Sequence, residues 1–468
     1  MDDFLREIQT SVFREWINNQ KRDYYHLHQS ETDPDAIIIE NEYCYSYVTF
    51  NPQCIIELCV MNKRTDEMAF YLHFQFKTLK HAISLFEEMD QCIKKMVDQP
   101  MCRLLLCCSG GMTTAFFADK IKNGIKVLNL NMEVAATSYQ KIYHVAQNYD
   151  VILLAPQVSY VKLQVEKVFK NKLVLKIPTQ IFASYNVGAL ITFVEESLKH
   201  KENKYNGYVE PLASMMEIKT NKNVLAVSIN ANGENSHISY RLYNSHQDIV
   251  LDSNIIKSNI KLQDVLDALD TVVLQNEMID VISIALPGVM VEGNVYSGII
   301  EGGNHQLKER LEKRYEKEIY LINDVNAAVV GYYASQNEYK SLAFLFQPIG
   351  RMAGSGIIVS GQLIRGMDHL AGEVALLPLN LSDAYLTLAN TPEGTLELVT
   401  KNIMSIIAIV APEAIVVYSD LILDSQDVSD EIKKSLSQYS LKVYPKIIKV
   451  ENILEYILLG AMILSAKE

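Results

Sequence analysis

Cysteine runs out early in this chain. All seven, Cys44, Cys54, Cys59, Cys92, Cys102, Cys107 and Cys108, precede residue 109, and no pair has the two-residue spacing of a zinc site. An odd count without a secretory leader argues against a disulfide framework. Neither zinc nor any other metal site is expected. Basic charge is also scarce: 43 Lys and Arg face 56 Asp and Glu, a formal net charge of -13. That balance argues against broad non-specific binding to nucleic acid, which requires a basic face. Long apolar runs are missing too, with none reaching the roughly 18–20 residues that cross a bilayer. The chain begins Met-Asp-Asp, without a charged-then-apolar leader, and a cytoplasmic location is expected. What the chain does have is length and apolar content. With 468 residues, 49% of them hydrophobic, it can form about three or four domains of roughly 100–200 residues each.

Hydrophobic periodicity divides the chain. Residues 1–98 read as a small α+β module of unknown role. Phe4–Asn19 has helical spacing, three strand-like runs follow (Ala36–Phe50, Cys54–Met61 and Met68–Phe76), and Leu79–Met96 is a second helix. Residues 99–200 alternate strand and helix, with strands at Arg103–Cys107, Ile125–Met132, Val151–Ala155 and Leu173–Ile177. This pattern predicts a four-stranded parallel, doubly wound sheet. The first helix of this segment is expected to stop near Asn123-Gly124. Polar residues 201–222 read as a linker, and 223–468 return to α/β alternation.

The sharpest chemical signal is Leu104-Leu105-Leu106-Cys107-Cys108-Ser109-Gly110-Gly111-Met112-Thr113-Thr114. A cysteine at the carboxyl end of a parallel strand faces the crevice where such sheets bind ligands. The following glycines allow backbone N–H groups to turn inward as an anion nest, and the next helix adds its positive end. Both favour a thiolate nucleophile. Cys107, inside the strand, reads as a buried structural thiol. Cysteine phosphatases share a loop of this kind but clamp phosphate with an arginine six residues on. Here that position is Thr114, which favours carrying a phosphoryl group over hydrolysing it.

This loop resembles that of the lactose/cellobiose-type enzyme IIB of the bacterial phosphotransferase system. Asp150-Val-Ile-Leu-Leu-Ala-Pro156-Gln157-Val-Ser-Tyr160 and Tyr185 add to the likeness. The resemblance implies that Cys108 accepts a phosphoryl group from a phosphohistidine on an enzyme IIA partner. It further implies phosphate binding by Ser109, Gly110, Gly111, Met112, Thr113 and Thr114. Pro156, Gln157 and Tyr160 would border that site. In the family the next acceptor is a sugar held by a membrane enzyme IIC.

Three later runs are weak singly: Leu286-Pro287-Gly288, Leu321-Ile-Asn323-Asp324-Val-Asn326, and Gly354-Ser-Gly356 followed by Ala371-Gly372-Glu373. Their order resembles the ROK family (repressor, open reading frame, kinase) of the two-lobed sugar-kinase/actin-like fold. The resemblance implies Asp324 as general base, Asn323, Asp324 and Glu373 as sugar ligands, Gly354 and Gly356 as phosphate-loop glycines, and a homo-oligomer. The departures bear on function. The first phosphate loop reads Asn230-Ala-Asn232-Gly233-Glu234, without the family's carboxylate and glycine pair. The zinc-histidine position is Leu376, and the adenosine-side glycines are replaced by Tyr418-Ser419-Asp420. The expected function is therefore a phosphocysteine carrier whose degenerate ROK domain senses a sugar or sugar phosphate, without a certain cofactor. One alternative is a bifunctional IIB transferase and sugar kinase, which would use ATP and Mg2+. The other is a ROK-type transcription regulator, although residues 1–98 do not read as a winged helix.

Overall fold

The computed structural model describes residues 3–63, 67–98, 102–109, 112–128, 130, 132–169, 172–199, 220–232, 235–291, 294–296, 298–301, 306–367, 370–422, 424–437 and 444–466. The expected linker lies largely outside these residues.

The first segment contains α1 (Asp3–Asn18), β1 (His26–Gln29), β2 (Ala36–Glu40), β3 (Cys44–Asn51), β4 (Ile55–Asn62), β5 (Glu67–Gln75) and α2 (Leu79–Asp98). In α2, Ala82, Leu85, Phe86, Met89 and Ile93 recur at helical spacing and are buried. In α1, Phe13 lies within 6.5 Å of the rings of Trp16, Phe50, Phe76 and Phe86. The run expected as one strand over 36–50 is two. Asn41 Oδ1 accepts the N–H groups of Tyr43 and Cys44 and turns the chain between them.

The second segment contains β6 (Cys102–Cys108), α3 (Met112–Val127), β7 (Met132–Ser138), α4 (Ile142–Val145), β8 (Val151–Leu154), α5 (Lys162–Val168), β9 (Leu173–Lys176), α6 (Thr179–Ser184) and α7 (Val187–Lys199). Its four strands are all parallel, in the order β7-β6-β8-β9. Right-handed crossovers put α3 on one face, where it meets α7, and α4 and α5 on the other. The expected strand over 125–132 is corrected: α3 runs on to Val127 and the strand begins at Met132. Gly124 does not stop the helix. It makes room for α7, because a Cβ there would sit 2.6 Å from Val187 Cγ1.

The third segment forms two lobes of the same topology. The N-lobe has β10 (Val224–Asn232), β11 (Asn235–Tyr243), β12 (Ile249–Lys257), β13 (Ile260–Lys261), α8 (Leu262–Gln275), β14 (Val281–Leu286), β15 (Val289–Val291), β16 (Asn294–Tyr296), β17 (Ile300–Glu301), α9 (Leu307–Tyr315), β18 (Glu318–Asn323) and α10 (Asp324–Ala334). The C-lobe has β19 (Leu342–Phe346), β20 (Gly354–Val359), β21 (Gln362–Leu363), α11 (Tyr385–Leu388), α12 (Pro392–Val410), β22 (Ala414–Tyr418), α13 (Ser425–Leu436), β23 (Lys446–Lys449) and α14 (Leu454–Ala466). Strand orders β12-β11-β10-β14-β18 and β21-β20-β19-β22-β23 repeat the same third-second-first-fourth-fifth arrangement. The last helix of each lobe packs on the other lobe's sheet, α10 against β19 and β20, and α14 against β10 and β14. The two helices meet closely enough to need glycine. A Cβ on Gly331 would lie 2.0 Å from Tyr456 O, and one on Gly460 1.8 Å from Ala327 O.

The first and third segments share one sheet. Strands β1 to β5 continue through β12 into the N-lobe, giving ten strands, with Tyr71 of β5 opposite Ile256. Phe74 and Phe86 lie in the same apolar core as Leu225, Val265 and Ile282. Polar contacts bind the seam. Tyr240 Oη lies 2.8 Å from His73 Nε2, Lys257 bridges Glu88 and Asp264 at 2.5 Å each, and Lys77 pairs with Asp267 and Asp270. Residues 3–98 thus enlarge the N-lobe, while the four-stranded parallel segment stands between them in sequence.

Candidate functional site

Two places gather the residues singled out by sequence. The first is the carboxyl edge of the four-stranded sheet. Cys108 ends β6, which has neighbours on both sides, and it is opposite Ser138, the last residue of β7. The cysteine is 7% exposed and the following Ser109 is exposed. Cys107 is fully buried, and burial with the neighbouring Cys108 pushes its thiol up to about 12. Cys107 is therefore held neutral, as a packing residue should be. Met112, Thr113 and Thr114 form the first turn of α3, and Gly110 and Gly111 lie outside the described residues.

Tyr185 closes α6 in the left-handed conformation, φ 50°. Its ring lies against Phe116, Phe117 and Phe182. Lys120 Nζ stands 5.0 Å from the Phe116 ring centroid and 5.6 Å from that of Tyr185. This places a cation about two turns along α3 from its start at the Cys108 loop. Sequence reasoning missed Phe116 and Lys120, and their i, i+4 spacing on a helix opening at that loop was the available signal. Gln157 and Tyr160 are exposed beyond β8, and Pro156 is half-buried.

The second place lies between the lobes. Asp324 opens α10 after β18 and is buried. Its Oδ1 accepts the Val325 N–H at 2.9 Å. Burial outweighs that bond and, with help from the Glu373 charge, raises the carboxyl to about 6. Burial raises Glu373 as well. Two partly or fully buried carboxyls side by side suit binding of hydroxyl groups, and a pKa near neutrality suits a proton acceptor. Asn323 is the N-cap: its Oδ1 accepts from Val325 and Asn326 N–H at 3.0 Å each, and its amide points to Gly288 O at 3.4 Å. Its carbonyl oxygen is thus committed to the helix start and one amide N–H to Gly288 O, leaving the second amide N–H for a ligand.

Glu373 is brought in by a strap. Gly372 has φ 94° and its carbonyl accepts the Ser355 N–H at 2.8 Å. A Cβ on Gly372 would lie 1.7 Å from Ser355 O, so only glycine fits. The expected phosphate-loop glycines Gly354 and Gly356 lie inside β20, not in a loop. At Gly356 a Cβ would meet Val325 O at 2.5 Å. These glycines let the strand press on α10 beside Asp324.

The turn before them, Gln347–Ala353, is closed on itself. Gln347 Nε2 donates to Pro348 O and Arg351 O, and Tyr385 Oη donates to Gln347 Oε1. Gly350 N–H goes to Ala389 O, and Ala353 N–H goes to Tyr385 Oη. Its N–H groups at Gly350 and Ala353 are therefore occupied. On the other lobe, β10 and β11 pair in register as far as Asn232 and Asn235, with Asn230 and Ala231 in the ladder. Gly233 and Glu234, between the strands, lie outside the described residues. No group of His, Cys, Asp and Glu suited to a metal occurs among the described residues. Among them no helix is long and apolar enough to cross a membrane.

The architecture is therefore that of a cysteine-edged parallel α/β domain joined to a two-lobed, sugar-kinase-like α/β domain. Comparison with known proteins agrees. Residues 103–192 match the family described as PTS system, Lactose/Cellobiose specific IIB subunit, and residues 233–395 match the ROK family. The chain carries a IIB-type segment and a ROK-type segment in one polypeptide. The oligo-beta-mannoside-specific EIIB component of the PTS system of Bacillus subtilis (strain 168) is 30% identical over 67 residues. That alignment covers 14% of this chain and 65% of the relative, just under two thirds of its length. Among solved structures, a ROK family protein from Streptococcus pneumoniae TIGR4, in complex with sucrose, is 17% identical over 52% of this chain and 97% of that one, with TM-score 0.41. ROK hexokinase from Thermus thermophilus gives 17%, 52%, 99% and 0.43. A ROK family transcriptional regulator, a homolog of the E. coli MLC protein, gives 14%, 53%, 81% and 0.38.

Proposed function

We propose that Cys108 accepts a phosphoryl group from the phosphohistidine of a IIA-type partner, and that the ROK-type domain senses a sugar or sugar phosphate without phosphorylating it. The observation that carries the first part is the position of Cys108 at the carboxyl end of an inner strand of a parallel sheet, where such sheets bind ligands. In the transfer, Cys108 Sγ attacks phosphorus as thiolate. The S–P bond forms as the N–P bond breaks, and the leaving electron pair returns to the histidine ring. Lys120, beside the Phe116 and Tyr185 rings, contributes positive charge near that edge.

Two features argue against catalysis, and a third keeps the site able to bind sugar. Asn230 and Ala231 stand where two glycines would let a phosphate approach the backbone. The Gln347–Ala353 turn spends N–H groups on its own protein. The Asp324–Glu373 pair remains able to hold sugar hydroxyls. Asp324, with its carboxyl near 6, also favours a second reading, a working sugar kinase with Asp324 as base.

Incubation with phosphoenolpyruvate, the general transport enzymes and a IIA protein tests the first part. Wild-type protein should become labelled and Cys108→Ser should not; equal labelling of the variant would overturn the carrier role. Calorimetry with ATP, with and without sugar, tests the second part. Sugar binding without ATP binding is expected, and sugar-dependent ADP release would establish the kinase instead.

A further inference from the structure

The IIB-type domain is seated on the C-lobe. Its seat is made by the loops that leave the carboxyl ends of the neighbouring parallel strands β19 and β22. From the second loop, Leu421 is 2% exposed and lies within the apolar core of the IIB-type domain. From the first, Ile349 packs against that same core. Two polar contacts pin the rim: Tyr139 Oη donates to Glu393 Oε1 at 3.0 Å, and His144 Nδ1 lies 3.1 Å from Asn390 Oδ1. A groove of about 480 Å³ runs along the junction. The crevice outside the carboxyl ends of parallel strands is where α/β sheets take their ligands. In this chain another domain occupies it.

The charges across the junction are unbalanced. The C-lobe presents Glu393, Asp424 and Asp427 to the groove, and the IIB-type side presents Lys167. Cys108 is close in the fold, since its strand partner is Ser138 and the next residue is Tyr139, which holds Glu393. Adjacent strands are about 4.8 Å apart and successive Cα atoms about 3.8 Å. A phosphoryl dianion on Cys108 therefore enters within one or two Debye lengths, each about 8 Å at physiological salt, of an acidic surface.

We propose that the IIB-type domain is a detachable cap on the C-lobe crevice, seated while Cys108 carries no phosphate and released when it does. This inference rests on the phosphorylation of Cys108 proposed above. Release turns a phosphoryl group on one domain into a conformational change that the sugar-binding domain shares, because the loop bearing Ile349 leads directly into β20, which lies against Val325 and Val329 of α10, next in sequence to Asp324.

Hydrogen exchange read by mass spectrometry on the full chain tests this, with phosphate on Cys108 quantified in the same sample. Phosphorylation should speed exchange in α4 and in the first turn of α12 by about tenfold, the scale of an ordinary coupling between two sites. Unchanged exchange in protein fully phosphorylated at Cys108 overturns the cap and leaves the carrier role standing. Absence of phosphate at Cys108 sinks both. A doubly substituted protein, Tyr139→Phe with Leu421→Ser, should show the faster exchange without phosphate, while β8 keeps its protection as a control for folding. If β8 stays protected and α4 and α12 also exchange as in the wild type, the seat is not where we place it.

Discussion

Replacing Asp324 by asparagine should stabilise the protein, and only above a definite pH. The ordinary carboxyl value is 3.8, and burial raises Asp324 to about 6. The folded state therefore binds this proton more tightly than the unfolded chain. Between those two values the folded protein still holds a proton that the unfolded chain has released, so unfolding becomes easier as pH rises. Above about 6 the cost of keeping a buried carboxylate is complete. Two units of difference correspond to roughly 3 kcal/mol. Asparagine is neutral at every pH and retains an oxygen to accept the Val325 N–H. Its extra N–H pair will offset part of the gain, leaving about 1–3 kcal/mol at pH 8. Urea unfolding of wild type and Asp324→Asn at intervals from pH 4 to pH 8 measures it. The stability difference should be near zero at pH 4 and grow through the window ending near 6. A difference independent of pH, or a less stable variant at pH 8, would show that burial does not raise the Asp324 carboxyl. Sugar affinity should move the opposite way, falling in the variant, if the carboxylate oxygens accept from sugar hydroxyls as proposed.

Other residues make separate predictions. Glu455→Ala should destabilise the protein by about 3–5 kcal/mol in denaturant. The change leaves Arg241, 2% exposed and paired with Glu455 at 2.8 Å, with only the more exposed Asp252 as a carboxylate partner. Gly372→Ala should cost about 1–3 kcal/mol from backbone conformation alone. The added Cβ also drives the strap off Ser355 O, moving Glu373 away from Asp324. Calorimetry should then show lost sugar binding in a protein that still folds. Gly460→Ala should loosen the α10–α14 contact, where a Cβ would lie 1.8 Å from Ala327 O, and thermal unfolding should occur at a lower temperature than in the wild type.

Local chemistry was readable from sequence wherever the signal was local. The apolar run ending at Cys108 identifies an interior strand, and Asn323-Asp324 identifies a helix start after a strand; both are as expected. Glycine was harder to read. Gly124 resembles a helix stop and is a packing contact with Val187, whereas Gly354 and Gly356 resemble a phosphate loop and are packing contacts with α10. In each case the reason for glycine lies on a distant segment. The joining of residues 3–98 to the N-lobe was hidden for the same reason. Its polar ties, Lys77 to Asp267 and His73 to Tyr240, link residues separated by 190 and 167 positions. The seat of the IIB-type domain depends on Ile349 and Leu421, two apolar residues in loops, where sequence alone offers no partner.

The most direct measurement is the location of the phosphoryl group. Protein phosphorylated through the phosphoenolpyruvate-dependent chain should be digested near neutral pH and its peptides sequenced by mass spectrometry. Phosphate is expected on Cys108, within the peptide that also carries Cys107, with Cys107 unmodified. Phosphate on a histidine, on Cys107, or nowhere in the chain would contradict it.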